Sequence, residues 1–172
     1  MRRIEARGCW LEPLVLAHAR EMFQVLGDPA IYEFENAPPP SEAWLVQRYQ
    51  RLERRASADG TQQWLNWVVE LPRGALAGYV QATVAASGEA HVAYELNSRY
   101  WRQGIGSSAV QAMLNELHIA YRVHTAVAVL KQQNLRSAAL LRRLGFALGN
   151  AQQQLQYRDE PDELVMLATL AL

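Results

Sequence analysis

Cysteine is nearly missing. Cys9 is the one thiol in 172 residues, which excludes a disulfide scaffold and suits a reducing compartment. Net charge is missing too. Seventeen basic and seventeen acidic residues cancel, so no global field points to nucleic acid or to a membrane surface. There is no long apolar run. The last nine residues, LVMLATLAL, form the longest clean one; it is too short to span a bilayer and suits a buried strand. The opening MRRIEARGCW is charged throughout and has no apolar signal core, so a cytoplasmic setting is expected. His18, His91, His118 and His124 show no metal-ligand spacing. No Gly-x-Ser-x-Gly elbow or Cys–His pair stands out. One absence is local. From Leu117 to Tyr157 there is no Asp or Glu, yet Arg122, Lys131, Arg136, Arg142 and Arg143 fall there. The compensating acids lie elsewhere, notably in DEPDE at 159–163. Scattered surface arginines and an anion-binding half are both open readings.

What is present reads as one mixed α/β domain over 1–172, with about four helices. LEPLVLAHAREMFQVLGDP reads as a helix, with Leu14, Leu16, Met22, Phe23 and Leu26 at near-helical spacing. A loop with three consecutive prolines follows, and Ser41 reads as the N-cap of a second helix running to about Ala56. WLNWVVEL, LAGYVQATVA and AHVAYEL, joined by PRGA and ASGE turns, predict an antiparallel meander. Trp44, Trp64 and Trp67 are expected in the core. Val110, Met113, Leu114, Leu117 and Tyr121 then recur with helical period. VHTAVAVL is a continuous apolar strand, reached by a helical crossover and so parallel to AHVAYEL. Asn134 caps a further helix that ends at Leu-Gly-Phe in a Schellman-type stop. FALGN, QLQYR and ELVMLATLAL are expected to complete the sheet.

The stretch RYWRQGIGSSA joins a strand to a helix through two glycines. Glycine allows a tight turn and close approach, and the first free N–H groups of a helix point at an anion. A plain turn would also fit. A P-loop is excluded, because no Gly-Lys-Ser/Thr ending exists. GIGSSA satisfies a dinucleotide fingerprint, but the acid needed about twenty residues on is missing, and the strands before the glycines are antiparallel. A basic residue could still suit a 2′-phosphate.

ELNSRYWRQGIGSSA followed by VHTAVAVLKQQNLRSAALLRRLGF resembles the GNAT acyl-CoA N-acyltransferases. It looks most like the branch that holds the ribosomal-protein N-terminal-alanine acetyltransferases. The likeness is strong over 76–150; the first sixty residues match only in helix–loop–helix layout. The signature Gln/Arg-x-x-Gly-x-Gly/Ala falls on Trp101, Arg102, Gln103, Gly104, Ile105 and Gly106. Trp101 departs from Gln/Arg, and Arg102 stands where the branch has Gly. A second signature falls on Asn134, Ser137, Leu144, Gly145 and Phe146.

The resemblance implies a mostly antiparallel sheet with one splayed parallel pair, and acetyl-CoA as co-substrate without a metal. It implies direct attack by a primary amine on the thioester. Leu96 would offer its backbone N–H there, at the edge of a V-shaped opening. The pyrophosphate would rest on the amides of Arg102 through Ser107, with hydroxyls from Ser107 and Ser108. Asn134 would bond the pantetheine arm, and Arg102 or Arg142 would meet the ribose phosphate. Relatives carry a tyrosine where this chain has Leu141 and a glutamate where it has Val92. Ser137 is then the substitute acid candidate, and Glu95 and His91 are the nearby titratable groups. Glu95 alternates with Tyr94 and Leu96, so it should face away from them. An α-amine, with a pKa near ~8, needs no side-chain base. Tyr32, Glu33 and Glu35, in IYEFENAPPP, are the acceptor-binding candidates. The acceptor is expected to be a protein N-terminus or a small-molecule amine, with neither nucleic acid nor membrane as partner; a homodimer stays open. Two alternatives remain: a non-catalytic acyl-CoA-binding module, and a dinucleotide-binding oxidoreductase.

Overall fold

The computed structural model describes residues 1–34 and 36–171. The strands are β1 (Ile4–Ala6), β2 (Cys9–Pro13), β3 (Gln62–Glu70), β4 (Leu76–Ala85), β5 (Glu89–Leu96), β6 (Thr125–Lys131), β7 (Ala147–Leu148) and β8 (Glu163–Thr169). The helices are α1 (Ala19–Val25), α2 (Glu42–Leu52), α3 (Ile105–Tyr121), α4 (Leu135–Arg143) and α5 (Ala151–Tyr157). All eight strands form one sheet in the order β1-β2-β3-β4-β5-β6-β8-β7. Every pairing is antiparallel except β5 with β6.

Each face of the sheet buries its own core. Val110, Met113 and Leu117 of α3 and Ala138 and Leu141 of α4 pack on one face with Trp67, Val80 and Met166. Met22 and Leu26 of α1 and Leu45 and Tyr49 of α2 pack on the other with Val68 and Leu76. Glu116 is 4% exposed yet charged. It is held by the Arg2 guanidinium at 2.7 Å, as a buried carboxylate requires.

The sequence-level caps are in place. The Ser41 Oγ accepts from the Trp44 amide at 3.1 Å, and the Asn134 side chain accepts from the Ser137 amide at 3.1 Å. At the end of α4 the Phe146 N–H donates to the Leu141 carbonyl and the Gly145 N–H to that of Arg142. With Gly145 at φ +87°, this is the Schellman stop.

Three expectations change. The helix expected from LEPLV begins later, because Cys9–Pro13 is a strand against β3. Cys9 and Leu11 are buried alternately with half-buried Trp10, a period of two that the helical pattern downstream masked. α2 stops at Leu52 rather than Ala56. Gln154–Tyr157 of QLQYR lie within α5, with Arg158 as its C-cap, instead of in the sheet. Asn150 and Gln153 cap α5 reciprocally, a start signal in the sequence itself. Gln154 then serves the sheet through its side chain, bonding both the N–H and the carbonyl of Val165 at 2.9 and 2.8 Å.

Candidate active site

The parallel pair is short. β5 and β6 are in register only from Glu89–His91 against Thr125–Val127. Beyond that point Val92–Leu96 pair with β4 alone and β6 continues against β8. The sheet therefore opens, and two cavities meet there. Tyr94 packs with the α3/α4 core. Glu95 is the cross-strand neighbour of Tyr79, which packs with the α1/α2 core. The alternation expected for Tyr94 and Glu95 thus puts one on each side of the opening. Gly78 allows the end of β5 to come this close: at φ +154°, a Cβ there would collide with the Glu95 carbonyl and the Leu96 Cα.

On the α3/α4 side lies a cleft of about 660 Å³, lined by Leu96, Tyr100, Trp101, Arg102, Gly104, Gly106, Ser107, Asn134, Arg136, Ser137 and Arg143, among others. Gly104 is the N-cap of α3 at φ +80°, so the amides of Ile105, Gly106 and Ser107 have no acceptor within the helix. A Cβ on Gly106 would touch the Leu140 and Leu96 side chains at 3.4 and 3.8 Å. Arg102 is also left-handed, at φ +58°. The Trp101 indole pins this turn to β5 by donating to the Leu96 carbonyl at 2.8 Å. Free amides, a glycine floor and the arginines Arg102, Arg136 and Arg143 fit a diphosphate with a slender arm. Lys131 takes no part. It is bound by Glu160 and Asp162 of the DEPDE segment.

Inside the opening the Tyr94 hydroxyl lies 2.6 Å from Ser137 Oγ. Burial pushes the Tyr94 hydroxyl up to about 12, against the opposing pull of Ser137 and Arg143. It is therefore a neutral O–H at ordinary pH.

On the α1/α2 side lies a cavity of about 390 Å³. Its walls include Leu14, Leu26, Ile31, Phe34, Trp44 and Leu52, and its polar lining includes Tyr32, Arg48, Tyr49, Asn66, Tyr79, Gln81 and Glu95. Glu95 lines both cavities. Burial raises the hydroxyl pKa of Tyr79, and Glu95 raises it further by charge and hydrogen bonding. Asp28 and Asn97 tie the α1 end to the cradle. Asp28 accepts from the amides of Ala30 and Ser98 at 3.1 and 2.6 Å, and Asn97 donates to the Val25 carbonyl at 3.0 Å. Burial would raise the Asp28 carboxyl, but the Ser98 and Ala30 hydrogen bonds outweigh it and hold it below its ordinary value.

Of the residues singled out in the sequence, Leu96, Trp101, Arg102, Gly104, Gly106, Ser107, Asn134, Ser137 and Glu95 come together on the α3/α4 cleft. Gln103, Ile105, Ser108 and Arg142 do not line it; Arg143 stands where Arg142 was expected. Gln103 instead donates to the Arg99 carbonyl at 2.7 Å. Tyr32 lines the α1/α2 cavity, but its hydroxyl is already given to the Leu26 carbonyl at 2.9 Å. Glu33 is outside both cavities and pairs with Arg136 at 2.7 Å. Glu35 lies outside the described residues. His91 is exposed and sits edge-on to Tyr157, with ring centroids 5.5 Å apart. Trp44 is 42% exposed, under the Arg48 guanidinium, rather than in the core. Tyr94 and Tyr49 were missed. A two-residue alternation along β5 marks Tyr94 as facing opposite to Glu95; nothing local marks Tyr49.

Comparison with known proteins identifies the family and the fold. A model of the acetyltransferase (GNAT) domain matches residues 9–147. The chain belongs to the GNAT family of acetyl-CoA-dependent N-acetyltransferases. Among curated proteins no sequence match is found. Among solved structures, one similar fold is RimL, a ribosomal L7/L12 α-N-protein acetyltransferase in complex with coenzyme A; it is 16% identical, with 98% of each chain covered and a TM-score of 0.82. The ribosomal-protein-S5-alanine acetyltransferase from Vibrio fischeri is 18% identical, with 97% of this chain and 96% of that one covered and a TM-score of 0.77. A spermidine N-acetyltransferase SpeG chimera from Vibrio cholerae and hSSAT is 16% identical, covering 94% and 95%, with a TM-score of 0.76. No group of His, Cys, Asp and Glu that could hold a metal ion exists among the described residues. No helix among them is long and apolar enough to cross a membrane.

Proposed function

We propose that this protein moves an acetyl group from acetyl-CoA to a primary amine by direct attack, with both substrates bound at once. The observation that carries this reading is the position of Glu95, which lines the α3/α4 cleft and the α1/α2 cavity where they meet. Acetyl-CoA lies in the cleft, its pyrophosphate on the first-turn amides of α3 and its ribose phosphate near Arg143 and Arg102. The acceptor enters through the α1/α2 cavity. Glu95 draws its ammonium to the opening and takes up the proton whose loss frees the nitrogen lone pair for attack, and the second N–H proton passes to solvent as the amide forms.

Tyr94 and Ser137 face the departing sulfur. A thiol has an ordinary pKa of about 8.5, while the Tyr94 hydroxyl is pushed up to about 12. Full transfer of the tyrosine proton to the thiolate is therefore uphill. Tyr94 and Ser137 act as hydrogen-bond donors to the developing negative charge, as in an oxyanion hole, and solvent supplies the proton. The acceptor is either a protein N-terminal α-amine or a small-molecule amine; both are compatible with a cavity whose described lining residues include the carboxylate of Glu95.

The test is thiol release across a panel of amines, run beside calorimetry of acetyl-CoA. Amine-dependent release supports the transferase. Tight binding without release from any amine would establish a non-catalytic acyl-CoA-binding module, the reading favoured by the hydrocarbons Val92 and Leu141 in the cavity wall.

A further inference from the structure

One buried polar atom beside the α1/α2 cavity stands out, the Tyr49 hydroxyl. Tyr49 is 2% exposed, and its Oη is buried with no hydrogen-bond partner among the described residues. An orphaned buried hydroxyl costs stability unless something satisfies it. Burial holds this hydroxyl neutral, raising its pKa against the pull of Arg48. The side chain lines the α1/α2 cavity, with Asn66 of β3 and Gln81 of β4 also in the lining. Asn66 and Gln81 are directly paired across the strands, and Gln81 is paired in turn with Ala93. The row Asn66–Gln81–Ala93 is therefore two residues along from the row Val68–Tyr79–Glu95. The cavity thus has a neutral hydrogen-bonding floor, set off from the carboxylate that receives the amine.

The spacing follows from sheet geometry. One strand across is about 4.8 Å and two residues along about 6.7 Å, so the Cα atoms of Gln81 and Glu95 are about 8 Å apart, and their side chains, on one face, keep about that spacing. Charge limits the ligand further. Among the described lining residues Glu95 is the only carboxylate, and Arg48 is a cation. A second ammonium at the floor would meet no further acid among the described lining residues and would be repelled by Arg48.

We infer that the acceptor is a primary amine carrying a neutral hydrogen-bonding group, hydroxyl or amide, about 8 Å from the nitrogen, and that Tyr49 binds that group with Asn66 and Gln81. This rests on the transferase reading above. Two sources share the chemistry. A free amino alcohol of the right length presents a hydroxyl at that distance, and a peptide N-terminus presents its second peptide group there, at about 3.5 Å per residue.

The test uses 6-amino-1-hexanol, n-hexylamine and 1,6-diaminohexane as chain-matched acceptors, with tri-alanine amide as the peptide arm. The wild type should acetylate the alcohol with kcat/KM about tenfold above both hexylamine and the diamine, a ratio in keeping with one buried hydrogen bond. In Tyr49→Phe that ratio should collapse towards one, while calorimetric affinity for acetyl-CoA stays at the wild-type value. Tyr49→Phe should also melt no lower than the wild type without acceptor, because the hydroxyl removed has no partner. Tri-alanine amide outrunning the alcohol assigns the peptide source, and the reverse assigns the free amine. A preference for the diamine, an alcohol advantage that survives in Tyr49→Phe, or a lowered melting temperature in that variant would overturn the inference and leave the transferase standing. Acetyl-CoA binding without release from any amine would overturn both.

Discussion

The two cavities at the sheet opening are built from different materials. The anion cradle of the α3/α4 cleft is backbone: amides at a helix start, a left-handed Gly104 and a glycine floor at Gly106. The α1/α2 cavity is mainly side chain: Tyr49, Asn66, Tyr79, Gln81, Glu95 and Arg48. A backbone cradle tolerates substitutions, since the amide stays when the side chain changes. Trp101 and Arg102 depart from the commonest motif, yet Trp101 braces the turn through Leu96 and Arg102 adopts the left-handed backbone. A side-chain cavity has no such tolerance. Each replacement there alters what can bind.

The largest expected effect lies in the cradle. Gly106→Asp adds a Cβ against Leu140 and Leu96 and a carboxylate where a diphosphate should sit. Acetyl-CoA binding should be abolished by calorimetry while the variant's circular dichroism stays native. Glu95→Gln, the next largest, should lower kcat/KM for the amine about 100-fold, within the range for acid–base groups, and leave acetyl-CoA affinity unchanged. Equal loss on both sides would erase the distinction drawn here.

Tyr94→Phe should lower kcat about tenfold, the worth of one hydrogen bond to the leaving sulfur, with KM for the acceptor little changed. It also carries a pH signature. The folded pKa is about 12, above the unfolded value near ~10. The stability that Tyr94 contributes is full below the unfolded pKa and is lost as pH rises through the folded one. Melting temperatures of the wild type should fall across that window, and those of Tyr94→Phe should fall less. Smallest is the arginine contrast. Arg143→Ala should weaken acetyl-CoA binding about fivefold through a lost phosphate contact, while Arg142→Ala, off the cleft, should change it less than twofold.

The same contrast explains what could be read from the sequence. The cradle and α4 rest on local chemistry, so Gly104, Gly106, Asn134 and the Leu144-Gly145-Phe146 stop announce themselves by spacing. The parallel pairing followed from a helical crossover joining two strands, and its splay only from the resemblance. Tyr49 and Asn66 line one cavity only because α2 packs on that face of the sheet, and no spacing records that. Arg142 was preferred over Arg143 because neighbouring arginines look alike until the helix phase is known; Arg136, Leu140 and Arg143 share the cleft-facing side. QLQYR was misread because a Gln-rich segment can serve a sheet edge through a side chain, as Gln154 does.

The two cavities meet, and the proposed function requires that amine and thioester be held there together. Initial rates measured over a grid of acetyl-CoA and 6-amino-1-hexanol concentrations test it most directly. Intersecting double-reciprocal lines, with no thiol released before the amine is added, are the predicted result. Parallel lines with an amine-independent burst of thiol would mean an acetylated enzyme and would contradict it.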